Sequence, residues 1–190
     1  MVTSAALYLA FLALLYAERL VELVVSRRNA RLAFAAGGVE AGRTQYAVMV
    51  AVHALFPLAC AAEVLALHRA FPGALGFAAL AVALVAQALR WWVVATLGLR
   101  WNTRIIVVPG APPVTAGPYR YLRHPNYLAV MVEAASVPLV HGAWLSATVF
   151  VAANAALLSV RIPAEERAMG EEYARAFAGL PRFLPGGRHA

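Results

Sequence analysis

Gly117-Pro118-Tyr119-Arg120-Tyr121-Leu122-Arg123-His124-Pro125-Asn126-Tyr127 packs polar, aromatic and cationic side chains between apolar segments long enough to cross a bilayer. A charge inside hydrocarbon costs about 2.5–3.5 kcal/mol on insertion scales, so such a cluster marks a wet site or a membrane boundary. A second polar block, Arg161-Ile162-Pro163-Ala164-Glu165-Glu166, stands where a later hydrophobic run ends. Together the two blocks predict a polar site at one membrane face.

Outward from these blocks the chain reads as a membrane protein. Of its 190 residues 63% are apolar and 13% charged, where soluble domains are about half apolar and a quarter charged. Apolar runs at 3–25, 45–67, 74–97, 126–141 and 143–160 are candidate spans, each near the roughly 20 residues that cross the hydrocarbon core. The fourth is short and the fifth follows His141-Gly142 at once, so these two are expected to form a tight helical hairpin. The expected fold class is an all-α integral membrane protein with about five transmembrane helices in a single domain over 1–190. Val108-Pro109-Gly110-Ala111-Pro112-Pro113-Val114 cannot continue a helix and is predicted to be extended. No G-x-G-x-x-G follows a strand, so any nucleotide-like cofactor must be held without a Rossmann fold.

Orientation follows from arginine, which supplies all 16 basic residues. Arg27, Arg28, Arg31 and Arg43 fall in the expected first loop, 26–44; Arg100, Arg104, Arg120 and Arg123 fall in the third; Arg167, Arg175, Arg182 and Arg188 fall in the tail. Arg69 is alone in the second loop. The positive-inside rule then puts the N-terminus outside and those three regions in the cytosol, with an integral membrane location expected. The net charge of +7 describes a face attractive to anionic lipids. It does not indicate nucleic acid, because the arginines are spread over interfacial loops. The first segment carries Glu18, Arg19 and Glu22 and lacks a basic leader, so it is expected to be a retained helix rather than a signal peptide.

Cys60 is the only cysteine, so no disulfide and no cysteine metal cluster can form within one chain, and no metal is expected. It reads as a small core residue. Several ionisable residues lie inside the apolar runs: Glu18, Arg19, Glu22, His53, Glu63, Arg90 and Glu133. Each needs a partner or a wet cavity. Arg19 and Glu22, three apart on one helical face, read as an ion pair. His53 reads either as a hydrogen-bonded structural histidine or as a proton acceptor. Glu133, close to the first polar block, is a site candidate.

Pro113-Val114-Thr115-Ala116-Gly117-Pro118-Tyr119, then Arg123-His124-Pro125-Asn126-Tyr127, then Arg161 through Glu166 with Glu171-Glu172-Tyr173 and Leu180-Pro181, resembles the isoprenylcysteine carboxyl methyltransferase family over roughly residues 104–185. Arg19-Leu20-Val21-Glu22-Leu23, Arg28-Asn29 and Arg100-Trp101-Asn102-Thr103 resemble a bacterial subgroup associated with type III polyketide synthases, whose members O-methylate alkylresorcinols or alkylpyrones. The resemblance implies an integral-membrane enzyme dependent on S-adenosylmethionine. It further implies transmembrane helices over 1–100 and a cytosolic cofactor-binding and catalytic region over 101–190. The adenine end of the cofactor would lie along Ala111, Pro112, Pro113 and Val114. Gly117, Tyr119, His124, Pro125, Asn126, Tyr127 and Glu165 would surround the rest, and Arg161 would engage the acceptor. The chain departs from the family pattern in having Asn126 where serine is more familiar, and in being a few residues shorter between Glu166 and Glu171.

The chemistry fits these residue types. Glycine permits close backbone approach, aromatic faces attract a sulfonium, and a carboxylate accepts from amino or hydroxyl groups. A phenolic acceptor, with a pKa of about 10, needs a base or an electrostatic partner. Arg161 can stabilise its oxyanion, and Glu133 or His53 can be the base. The alternatives are methylation of a prenylcysteine carboxylate or a lipid amine, an NADPH-dependent membrane reductase, and a non-enzymatic scaffold that binds lipid headgroups. The residues leave the acceptor and the oligomeric state open.

Overall fold

The computed structural model describes residues 3–183. Arg188 and the end of the motif region, 184–185, lie outside the described residues. Five helices carry the fold: α1 (Ser4–Ala35), α2 (Arg43–Ala66), α3 (Ala74–Leu97), α4 (Pro125–Leu139) and α5 (Trp144–Ala176). Of these α2, α3 and α5 are long and apolar enough to cross a membrane by length and composition. The helical, membrane-type architecture read from the sequence is therefore present.

Two helices run further than the hydropathy pattern suggested. α1 does not stop near residue 25 but continues to Ala35, because Arg, Ala and Leu are good helix formers even where they cease to be membrane-like. Arg27, Arg28 and Arg31 thus ride on its last turns, and Arg43 opens α2. α1 ends at a glycine pair, where the N–H of Gly38 donates to the carbonyl of Ala33 at 2.8 Å and Gly37 takes φ 81°. Such left-handed caps favour glycine. α5 likewise passes residue 160 and continues to Ala176, with a break at Gly170.

The expectation of a purely helical chain also needs correction. Val39–Ala41 (β1) pairs antiparallel with Ile105–Val107 (β2), with Glu40 opposite Ile106. A three-residue strand leaves too little alternation to be read from sequence. The ribbon ties the α1–α2 connection to the segment that precedes the motif. Beyond β2 the chain is non-helical from Val108 to Thr115, as the prolines require.

α3 packs most extensively on α4, and α4 on α5. Its buried face begins Gly76, Ala79, Ala83, Ala86. In lipid, where apolar burial offers little drive between helices, small residues allow the close backbone approach that van der Waals packing needs. The expected hairpin is present: residues 140–143 turn α4 into α5, with the N–H of Ala143 donating to the carbonyl of Pro138 at 3.0 Å. Glu63 of α2 caps the new helix from the side. It accepts from the N–H groups of Leu145 (3.1 Å) and Ser146 (2.7 Å), from Ser146 Oγ (2.8 Å) and from Arg69 Nη2 (2.9 Å). Beside it Tyr8, Leu12, Cys60, Val64, Ala79, Ala83, Val137, Val140 and Ala143 form a core at the end of the bundle away from the motif. Cys60 is fully buried there, as expected.

Candidate functional site

The site is assembled on the connection between α3 and α4, which α1 pins from the side. Asn29 Nδ2 donates to the carbonyls of Trp101 (2.8 Å) and Gly98 (3.1 Å), and Ser26 Oγ accepts from the N–H of Thr103 at 3.0 Å. Thr103 in turn presents its carbonyl to Arg161 Nη2 at 2.6 Å. The long extension of α1 thus fixes a backbone oxygen that orients the arginine of α5.

Pro125 opens α4, where a missing N–H costs nothing. Ahead of it the N–H groups of Arg123 and His124 donate to the carbonyls of Pro181 (2.9 Å) and Arg182 (3.1 Å), so the tail folds back over the motif. His124 is buried, its Nε2 3.0 Å from Glu166 Oε1 and its ring stacked on Tyr127 at 5.4 Å between centroids. Arg182 holds the other Glu166 oxygen at 2.6 Å, and that carboxylate keeps the guanidinium protonated above its ordinary range. Tyr127 donates to Glu165 and accepts from Arg161 Nε at 2.9 Å. The two polar blocks, over thirty residues apart in sequence, therefore meet in one hydrogen-bonded group.

A cavity of about 570 Å³ opens from this group. Ala111, Pro112, Pro113, Val114, Tyr119, His124, Asn126, Tyr127, Arg161 and Glu165 line it, and so do His53 and Glu133. Two sequence candidates stand apart from the lining, Gly117 and Pro125. A Cβ on Gly117 would lie 2.3 Å from Thr96 Oγ1, and its φ is 56°. Packing on α3 therefore requires glycine at this position in its own right. The Tyr119 hydroxyl is pushed well above its ordinary pKa by burial first and by the Glu165 carboxylate second, so it stays a neutral donor.

Farther in, the cavity runs between α1 and the other helices. Arg19 donates to Glu22 (2.7 Å), Gln87 (2.7 Å) and Glu133 (3.3 Å), and Arg90 grips Glu22 through two bonds of 2.8 and 2.6 Å. Gln87 and Trp91 both donate to Glu18. The Arg19–Glu22 pair expected from spacing is present, but as part of a belt joining α1, α3 and α4. Gln87 and the partnership of Arg90 were missed; no local spacing relates positions on different helices. Past the belt the wall is apolar, with Leu12, Leu15, Phe56 and Val137.

Among the described residues, Arg161 Nη1 and Asn126 Oδ1 are buried without a hydrogen-bond partner. Buried polar atoms in that state cost about 1–3 kcal/mol each. The free Asn126 acceptor, the Glu165 carboxylate, the tyrosine rings and a cavity of ligand size suit a sulfonium compound carrying amino and hydroxyl groups, and the free Arg161 donor suits an oxygen of a second ligand. The residues present thus fit S-adenosylmethionine.

Comparison with known proteins places the chain. It is 39% identical over 160 residues to the uncharacterized protein YpbQ of Bacillus subtilis (strain 168), covering 84% of this chain and 95% of that one. An uncharacterized protein of Haemophilus influenzae is 26% identical over 165 residues, covering 86% and 95% respectively. Residues 79–171, from α3 to the break in α5, match the sequence profile of a family of membrane methyltransferases. The chain belongs to the isoprenylcysteine carboxyl methyltransferase (ICMT) family.

Proposed function

We propose that this membrane methyltransferase carries the methyl group of S-adenosylmethionine to an oxygen of a lipophilic acceptor, a long-chain phenol or hydroxypyrone of the alkylresorcinol or alkylpyrone kind. The observation that carries the reading is the single cavity whose polar mouth holds both motif blocks and whose far wall is apolar. S-adenosylmethionine supplies an electrophilic methyl on a sulfonium. Ala111 to Val114 form the wall for its adenine end. Glu165 accepts from its amino or hydroxyl groups, and the rings of Tyr119, Tyr127 and Tyr173 offer negative faces to its cation. His124, held by Glu166, and Asn126 complete the wall. Arg161 turns its unpartnered Nη1 toward the acceptor oxygen and stabilises negative charge there. The alkyl tail lies along Leu12, Leu15, Phe56 and Val137. Holding the two reactants in contact accounts for much of the rate, because proximity alone is worth about 7–11 kcal/mol at best.

The same reading gives five membrane passages, with α1 and α4 completing the three long apolar helices. The N-terminus is outside, and the α1–α2 ribbon, the α3–α4 connection and the C-terminal tail are in the cytosol of a bacterial inner membrane. Arginine distribution supports this orientation. A cysteine placed at Ala70 should be labelled from outside intact cells, and one at Ala111 should not; the reverse pattern rejects it.

Calorimetry of the purified protein should show binding of S-adenosylmethionine and none of NADPH. Labelled methyl should then pass to pentadecylresorcinol or an alkylpyrone. Transfer to a prenylcysteine or a lipid amine alone would replace the acceptor assigned here, and failure to bind S-adenosylmethionine would remove the function.

A further inference from the structure

We infer that His53 is the proton acceptor for a neutral hydroxyl acceptor, its Nε2 open to the cavity and its imidazolium balanced by Glu133; the inference rests on the methyl-transfer reading above. His53 lies on α2, half-buried, in the wall of the cavity. Its Nδ1 is 2.8 Å from the carbonyl oxygen of Met49. A carbonyl only accepts, so Nδ1 carries the hydrogen and the neutral ring keeps its lone pair on Nε2. Among the described residues, no side chain takes that lone pair. A purely structural histidine would be expected to use both nitrogens; this one presents a base of fixed tautomer to an internal space.

Among the charges around it, Glu133 favours a proton on the ring, while Arg19 and Arg161 oppose it and keep the resting imidazole neutral. In the belt, Glu18, Glu22 and Glu133 face Arg19 and Arg90, which leaves it one positive charge short. Glu133 is already engaged by Arg19, so its role is to stabilise the imidazolium rather than to take the proton itself. Arg161, with Nη1 unpartnered, lines the same cavity as His53. When an acceptor hydroxyl sits between them, its O–H bond breaks and the proton joins the Nε2 lone pair. The electron pair stays on oxygen, beside Arg161, as the nucleophile that takes the methyl from the sulfonium. A carboxylate acceptor would have no proton to give. A base at this position thus favours acceptors that carry a proton to be removed, as phenols and enols do, over carboxylates.

Two measurements test this. Diethyl pyrocarbonate acylates unprotonated imidazole nitrogen. Peptide mass mapping of the wild-type protein should find His53 modified, and pentadecylresorcinol should protect it. An unreactive His53, or one that pentadecylresorcinol leaves unprotected, overturns the inference. In the second measurement, His53→Gln should bind S-adenosylmethionine within about twofold of wild type while methylating pentadecylresorcinol about 100-fold more slowly, the usual worth of a positioned base. The deficit should shrink on a more acidic alkylhydroxypyrone. Equal loss on both acceptors, or full activity, overturns it. A wild-type protein that fails to bind S-adenosylmethionine sinks the proposed function instead, so the two failures are told apart.

Discussion

Glu63 and Glu133 both stand in helices dominated by apolar residues, and the sequence separates them only by the nearness of Glu133 to the first polar block. Their surroundings separate them further. Glu63 accepts two backbone N–H groups at the start of α5, a serine hydroxyl and an arginine, and does not line the cavity. Its oxygens are saturated. Glu133 shares one arginine with two other carboxylates and borders an open cavity. The difference teaches that burial of a carboxylate does not by itself mark function. A carboxylate whose acceptor capacity is filled by the fold holds the fold together, whereas one left with spare charge beside an empty space has chemistry to offer.

The largest effect expected from this contrast is on stability at the saturated end. Glu63→Ala removes the side cap of α5 and strands Arg69, and should lower unfolding free energy by about 3 kcal/mol. Turnover per folded molecule should stay at the wild-type level; a silent melting curve would break the contrast at its structural end. Next comes Glu165→Gln at the cavity mouth, which should weaken S-adenosylmethionine binding by about 2 kcal/mol, read by calorimetry, as should His124→Ala to a similar or lesser degree. Unchanged affinity in folded variants would remove these residues from the cofactor wall. Arg161→Lys keeps the charge but loses the planar fork that binds Tyr127 and Thr103 together. Turnover should drop about tenfold, equivalent to about 1.4 kcal/mol, with cofactor affinity nearly intact; loss of cofactor binding would move Arg161 from the acceptor to the cofactor. The smallest expected effect is on the stability of Glu133→Gln, a change of about 1 kcal/mol or less, because the belt sheds unbalanced charge while Gln still accepts from Arg19. Its turnover on a phenol should fall nonetheless. A large loss of stability with unaltered turnover would make Glu133 a second Glu63.

The resemblance identified from the two polar blocks and the three-apart Arg19–Glu22 pair was legible because each rests on short-range patterns in the chain. The hairpin was equally legible, since His141-Gly142 interrupts two apolar runs that are otherwise continuous. The extension of α1 was not, because hydropathy reports where a helix leaves lipid and not where it stops being a helix. Arg27, Arg28 and Arg31 mark the former; Gly37 and Gly38 mark the latter. Gly117 shows what motif reading leaves out, since packing on Thr96 demands glycine there whatever the ligand.

By itself the sequence determined the solvent, the largely helical class, the α4–α5 turn and the family, because composition, proline, glycine and motif spacing act locally and along one chain. Tertiary structure alone decided which carboxylate caps a helix and which lines a cavity, that Ser26 and Asn29 steady Arg161 through Thr103, and that His53 keeps one nitrogen free. The physical reason is that saturation of a hydrogen-bonding group is a property of its three-dimensional neighbours. Residues on α1, α2, α3, α4 and α5 meet around one space without any fixed interval in sequence to announce it.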